Sequence, residues 1–305
     1  MKTLKDNGSK SINRQQLQTK EFKMTSKIVL ITGASSGFGF LTALALAKKH
    51  YTVIATMRNV EGSALLMNEA RKQKISEKNL HIHRLDVTDS TDIEELKNYI
   101  QDTYGRLDIL INNAGFTQGG VIEEVEIEQW EKQFQTNFFG SVAVTKAFIP
   151  LMRKQRSGKI ILLGSISGRI GLPGLGPYAA SKFALEGFSE SLRFELKPFN
   201  IYTSLIEAGS FKTSIWQKGI DGAVHSDLQE YQSLMAFMNE YATEQGLSSE
   251  PPEKVVDLLC HVCQKDKPKF RYPVGKGIKL AIFLKSVLPW SIVEKILERQ
   301  LKKKD

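Results

Sequence analysis

From Lys27 onward, short apolar runs alternate with longer segments whose apolar residues recur every three to four positions. Residues 28–32 (IVLIT) are apolar and β-branched, which predicts a buried strand. A glycine-rich turn follows at 33–39, then a helix over 40–49 (FLTALALAKK), rich in good helix formers. The alternation continues with a strand at 51–57, a helix at 61–75 and a strand at 80–85 that ends at Asp86. A helix over 90–103 follows, with Ser90 as its cap and Ile93, Leu96 and Ile100 on one face. Beyond it the pattern predicts a strand at 107–111, a long helix at 126–153, a strand at 159–163, a helix at 178–195 and a strand at 201–206. Strand then helix, repeated six times, implies an α/β fold: a doubly wound parallel sheet with helices on both faces. Such sheets bind ligands at the carboxyl ends of their strands, and every motif below falls at such an end.

The 305 residues, 41% hydrophobic and 25% charged, suit a globular protein and exclude a disordered or polytopic membrane chain. A net charge of +9 invites a polyanion partner, so its position matters. Residues 1–24 carry +4 and residues 264–305 carry +8, which leaves −3 on residues 25–263. The folded body is mildly acidic, and this argues against nucleic acid as a partner. Residues 1–24 are polar and lack the apolar stretch of a secretory signal, so they read as a disordered leader outside the fold. Cys260 and Cys263 follow a predicted helix at 252–259, with no second pair to complete a zinc site. They read as two helix-end thiols in a protein of the reducing cytosol, and no metal is expected.

The turn Thr32-Gly33-Ala34-Ser35-Ser36-Gly37-Phe38-Gly39 joins the first strand to the first helix. Glycine lets the backbone approach a phosphate, and the helix amino end offers free N–H groups and a positive dipole. The turn therefore predicts a dinucleotide site. At the end of the second strand, a carboxylate would select NAD and an arginine would accommodate the 2′-phosphate of NADP. The chain has Met57-Arg58 there, which favours NADP(H) over NAD(H). Asp86, followed by Val87, is placed to accept from an adenine amino group or to cap the next helix. Asn113, Ala114 and Gly115, after the fourth strand, either lie against the cofactor or brace neighbouring loops.

Tyr178 and Lys182 stand at i and i+4 on one helix face, and Ser165 follows the fifth strand. A free phenol titrates near pH 10, and a nearby ammonium favours the phenolate. Tyr178 is then a general acid or base toward a carbonyl or alcohol, with Lys182 lowering its pKa and also reaching the nicotinamide ribose. Ser165 would polarise the substrate oxygen.

With TGASSGFG, NNAG and the Ser165–Tyr178–Lys182 set in this order, the sequence resembles the short-chain dehydrogenase/reductase family over residues 25–213. The resemblance implies a single Rossmann domain and direct hydride transfer between nicotinamide and substrate. It adds Asn137 as a fourth catalytic residue, where a helix kink frees a carbonyl for a water relay to the lysine. Gly209 and Thr213 match the loop around the nicotinamide amide, with Ala208 in place of a usual proline and so a looser loop. Several stretches look like the hydroxysteroid and retinol dehydrogenase branch, which implies an apolar, steroid-, retinoid- or lipid-like substrate. Homo-oligomers are also implied. The alternative on this fold is a non-catalytic NADP(H)-binding sensor, which usually lacks the Tyr or the Lys.

Residues 25–273 are thus expected to form the catalytic domain. Within it, residues 211–250 read as a lid whose wall includes Phe211, Trp216, Tyr231, Met235, Phe237, Met238 and Tyr241, or else as packing against the core. Residues 274–305 form a basic amphipathic extension. Its apolar run at 280–284 is too short to span a bilayer. The extension can lie on a membrane surface, pack over the pocket or meet a second subunit.

Overall fold

The computed structural model describes residues 26–248 and 250–302, so the 1–24 leader lies outside the described residues. The strands are β1 (Ile28–Ile31), β2 (Thr52–Met57), β3 (Leu80–Arg84), β4 (Ile109–Asn112), β5 (Gly158–Leu163), β6 (Ile201–Ala208) and β7 (Arg271–Val274). They form one sheet, all parallel, in the order β3-β2-β1-β4-β5-β6-β7. The chain winds outward from β1 in one direction and, after β3, from β4 in the other. The reversal leaves a crevice at the carboxyl ends of β1 and β4, where Ile31 pairs with Ile111.

Strand periodicity sorts the core. Val29, Ile31, Val53, Ala55, Ile109 and Ile111 point to one face, which is covered by α1 (Gly37–Lys48), α2 (Ala64–Lys72) and α9 (Glu253–Gln264). Ile28, Leu30, Ile54, Leu110, Ile160 and Leu162 point to the other. That face is covered by α3 (Ser90–Tyr104), α5 (Gly140–Gln155) and α6 (Gly176–Leu196). Both faces are buried, so the strands read as continuous apolar runs.

Several expectations change. The cap of α3 is Asp89, whose carboxylate accepts from the Thr91 and Asp92 N–H groups; Ser90 is the first helical residue. The long helix expected at 126–153 is two helices, α4 (Ile127–Phe134) and α5, joined by one π turn at Gln135–Phe139. The sheet has a seventh strand, β7, and a boundary at residue 273 falls inside it. Cys260 and Cys263 lie within α9, since the helix runs past 259. Both thiols are free and buried, and burial pushes them up to about 11 and about 12, which makes them packing residues. The remaining helices are α7 (Ser214–Asp221), α8 (Gln232–Ser248), α10 (Ile278–Val287) and α11 (Trp290–Lys302).

Candidate active site

The glycine turn is built around two left-handed residues, Gly33 at φ 69° and Gly37 at φ 59°. A Cβ on Gly33 would stand 2.8 Å from the Ala114 Cα, and one on Gly39 would stand 2.4 Å from the Gly33 oxygen. Only glycine lets β1 turn this tightly into α1. The Thr32 hydroxyl accepts from the N–H groups of Asn113 and Ala114, at 2.9 and 3.0 Å. The Asn113 amide donates back to the carbonyls of Thr32 and Gly33. The loop after β4 is therefore bolted to the turn, and Asn113 spends its side chain on the brace. At the start of α1, Ser36 makes no side-chain cap bond and the first turn holds no acid. The backbone donors there suit a phosphate, so the turn fits a dinucleotide. The Ser214 hydroxyl meets that of Ser36 at 3.2 Å, and Thr213 lies against Gly37. Ser35 is exposed and Phe38 packs edge-on to Phe211 at 5.8 Å.

At the other end of the crevice, Met57 is buried and Arg58 is exposed. Asp86 takes both the N–H and the hydroxyl of Thr88 on one oxygen. Burial works against its charge, but those hydrogen bonds and the positive fields of Arg58 and Arg84 outweigh it and hold the carboxyl low. Asp86 does not cap α3. Val87 is buried beneath Gly140, where a Cβ would approach it to 2.6 Å.

Ser165 ends the loop after β5, its hydroxyl accepting from the Ser167 N–H at 3.1 Å. α6 presents Tyr178 and Lys182 on one side, and the Lys182 ammonium sits 5.7 Å from the Tyr178 ring centroid. That ammonium donates to the Leu163 carbonyl at 2.8 Å. Burial pushes the Tyr178 phenol up, and its hydrogen bond with Ser165 pulls it part of the way back. Burial brings Lys182 down to about 8. The lowering expected from Lys182 does not show in the direction of the Tyr178 shift. The lysine is directed at a backbone carbonyl, and desolvation dominates both groups. Tyr178 is held as the neutral phenol, the form that gives a proton.

Asn137 lies in the π turn and is buried. Its amide oxygen accepts from the Phe116 N–H at 3.0 Å and its Nδ2 donates to the Phe116 carbonyl at 2.9 Å. The kink expected at this position is this π turn. Its backbone carbonyl accepts from the Ser141 hydroxyl at 3.3 Å.

A match to the short chain dehydrogenase family covers residues 27–222, well over half the chain. The chain belongs to the short-chain dehydrogenases. It is 45% identical over 281 residues to the uncharacterized oxidoreductase YusZ of Bacillus subtilis, covering 91% of this chain and 99% of that one. It is 35% identical to the 17-beta-hydroxysteroid dehydrogenase type 1 of Mus musculus, covering 82% and 74%. A structure of actinorhodin polyketide ketoreductase with NADPH is 27% identical, covers 83% and 97%, and superposes with a TM-score of 0.71.

In this short-chain dehydrogenase the expected site residues converge on the carboxyl edge of the sheet. An apolar cavity is lined by the 172–175 loop that leads into α6, by Ile215 and Ile220 of α7, and by Phe237 and Met238 of α8. It meets the catalytic helix through that loop, and Asn137, Ser165, Tyr178 and Lys182 do not line it. Among the described residues of the expected lid wall, Phe237 and Met238 reach it. Phe211 and Met235 are buried, Phe211 in the core, and the Tyr231 hydroxyl donates to Glu123 at 2.7 Å. The side chains of Trp216 and Tyr241 lie outside the described residues. Leu297 of α11 also lines the cavity, which agrees with the extension packing over the pocket, one of the three placements expected of it; the 172–175 loop was missed by sequence reasoning. The residue that replaces the usual proline, Ala208, falls in β6 itself. It is paired with Val274, and the Gly209 N–H donates to the Val274 carbonyl at 2.9 Å.

Proposed function

We propose that this chain is an NADP(H)-dependent oxidoreductase that interconverts a carbonyl and an alcohol on an apolar, lipid-like or steroid-like substrate. The observation that carries the reading is Tyr178, with Ser165 acting on its phenol and the Lys182 ammonium 5.7 Å from its ring, on the helix that the cavity's apolar 172–175 loop enters. The residues that would hold the cofactor are the 33–39 turn and the amino end of α1 for the phosphates, and Arg58 for a 2′-phosphate. Asp86 and Val87 would hold the adenine, residues 113–115 would lie along the dinucleotide, and Gly209 and Thr213 would meet the nicotinamide amide. The absence of a carboxylate at Met57 and the exposed cation of Arg58 support NADP(H), as does the NADPH in the related ketoreductase. When bound, the nicotinamide supplies the hydride chemistry.

The protein's part is the proton and the orientation. Tyr178 gives its phenolic proton to a substrate oxygen in reduction and takes it back in oxidation. Ser165 donates to the same oxygen and fixes its direction. Lys182, reached from the Leu163 carbonyl side, places a positive charge beneath the phenol as it ionises. Asn137 clamps the Phe116 backbone and so shapes the loop between cofactor and substrate. The mild similarity to a hydroxysteroid enzyme agrees with the apolar cavity.

The test is Tyr178→Phe, assayed against a panel of apolar ketones and alcohols. Loss of the general acid should lower turnover by roughly a thousandfold. NADPH binding, followed by its fluorescence, should stay unchanged. Turnover near that of the unmodified chain would defeat the mechanism.

A further inference from the structure

α10 turns an apolar stripe toward water. Leu280, Phe283, Leu284 and Val287 recur at i, i+3, i+4 and i+7, and are 60%, 59%, 36% and 56% exposed. Trp290, Ile292 and Ile296 of α11 continue it, all exposed. Single exposed apolar residues are ordinary, but a continuous stripe of this size marks a binding surface. Its charge leans positive: residues 276–302 contain six Lys or Arg and two acids, Glu294 and Glu298, both on α11, and α10 itself carries only lysines. Lys276 and Lys279 are exposed beside the stripe, and the Lys285 ammonium lies 4.0 Å from the Trp290 ring.

We propose that this face docks on an anionic lipid bilayer, with the α10 stripe and Trp290 at the headgroup boundary and the lysines on the lipid phosphates. Apolar side chains bordered by cations and a tryptophan are the arrangement that lies in a membrane interface. No helix among the described residues is long and apolar enough to cross a membrane, so the contact is peripheral. A second copy of the chain is a poorer occupant. A two-fold contact sets a patch against itself, and here it would gather Lys276, Lys279 and Lys285 of both copies into one interface. Given the reaction proposed above, the placement also serves it. α11 has two faces: Ile292 and Ile296 belong to the stripe, while Val293 is buried and Leu297 lines the cavity. The wall of the apolar cavity is thus one helix thick from the docking surface, a short path for a substrate dissolved in lipid.

Flotation of the full chain with vesicles tests this without any turnover. The chain should float with mixed phosphatidylcholine–phosphatidylglycerol vesicles, stay down with pure phosphatidylcholine, and be released as salt rises. Phe283→Asn with Val287→Asn should weaken binding at least about tenfold, and Lys279→Gln with Lys285→Gln roughly thirtyfold. All four positions are on the surface, and unchanged circular-dichroism melting will show that the variants fold. No flotation with either vesicle overturns the proposal, as does equal flotation of the variants. So does a dimer in light scattering that Phe283→Asn with Val287→Asn dissolves while vesicles capture nothing, which would assign the face to a second copy.

Discussion

Lys182 and Tyr178 face each other with opposite burdens. Burial lifts the phenol above its ordinary range and drops the ammonium to about 8, so near neutral pH both carry their protons. The sign then fixes the pH profile. In reduction Tyr178 must start protonated, and its raised pKa keeps it so through the neutral and mildly alkaline range. The limb that appears first belongs to Lys182: kcat/KM for reduction should fall as pH rises through about 8, when the lysine loses its charge. Oxidation needs the phenolate with Lys182 still charged, so it should climb with pH and level off above about 8. A pH series on Lys182→Met checks the assignment, since the variant should be slow and lack the limb near 8; a limb that persists would belong to another group. The identities of Ser165, Tyr178 and Lys182 were readable from type and spacing. Their protonation was not, because it depends on how dry the finished site is and on the Leu163 carbonyl that claims the ammonium.

Among the elements, β7 is the one the pattern hid. Its sequence RYPV contains a proline and is half-buried throughout, which suits only the edge of a sheet. Besides its backbone pairing with β6, charge anchors it. Arg271 donates to Glu186 of α6 at 2.9 Å and stands 3.7 Å from Glu207 of β6, and Arg169 reaches both carboxylates. Burial, then the negative Glu186, raise Glu207 to about 7 against the pull of the two arginines. A raised carboxyl contributes stability at low pH that is lost as pH passes its folded value. Arg271→Leu removes a cation from two buried acids and should cost about 3 kcal/mol. The loss should be greater above pH 7, where Glu207 is ionised, than near its ordinary pKa. Urea unfolding on both sides of that value measures it, and an equal loss at each would break the link to Glu207. The π turn at 135–139 was hidden from the local pattern, since Asn137 bonds to Phe116 across the fold, and only the family resemblance marked a kink there.

At the scale of the molecule, the strands β1 to β6 were legible because sheets buried on both faces must be apolar along their length. The substrate end was not, because an aromatic residue's type does not say which way it packs: Phe211 faces the core while Phe237 faces the cavity. Leu297 was further from reach still, coming from a segment whose charge set it apart from the catalytic body. Its position makes the C-terminal segment part of the pocket, in addition to any surface it contacts. A polar group on that wall should penalise an apolar substrate and leave the dinucleotide crevice, built from β1, β2 and β4, untouched. Leu297→Asn should therefore raise KM for an apolar ketone about tenfold, with kcat less affected and NADPH affinity the same. The comparison of KM with kcat separates this from general damage, which would lower kcat and cofactor binding together. If KM stays level while the variant folds, α11 does not wall the pocket during turnover, and the body alone forms the substrate site.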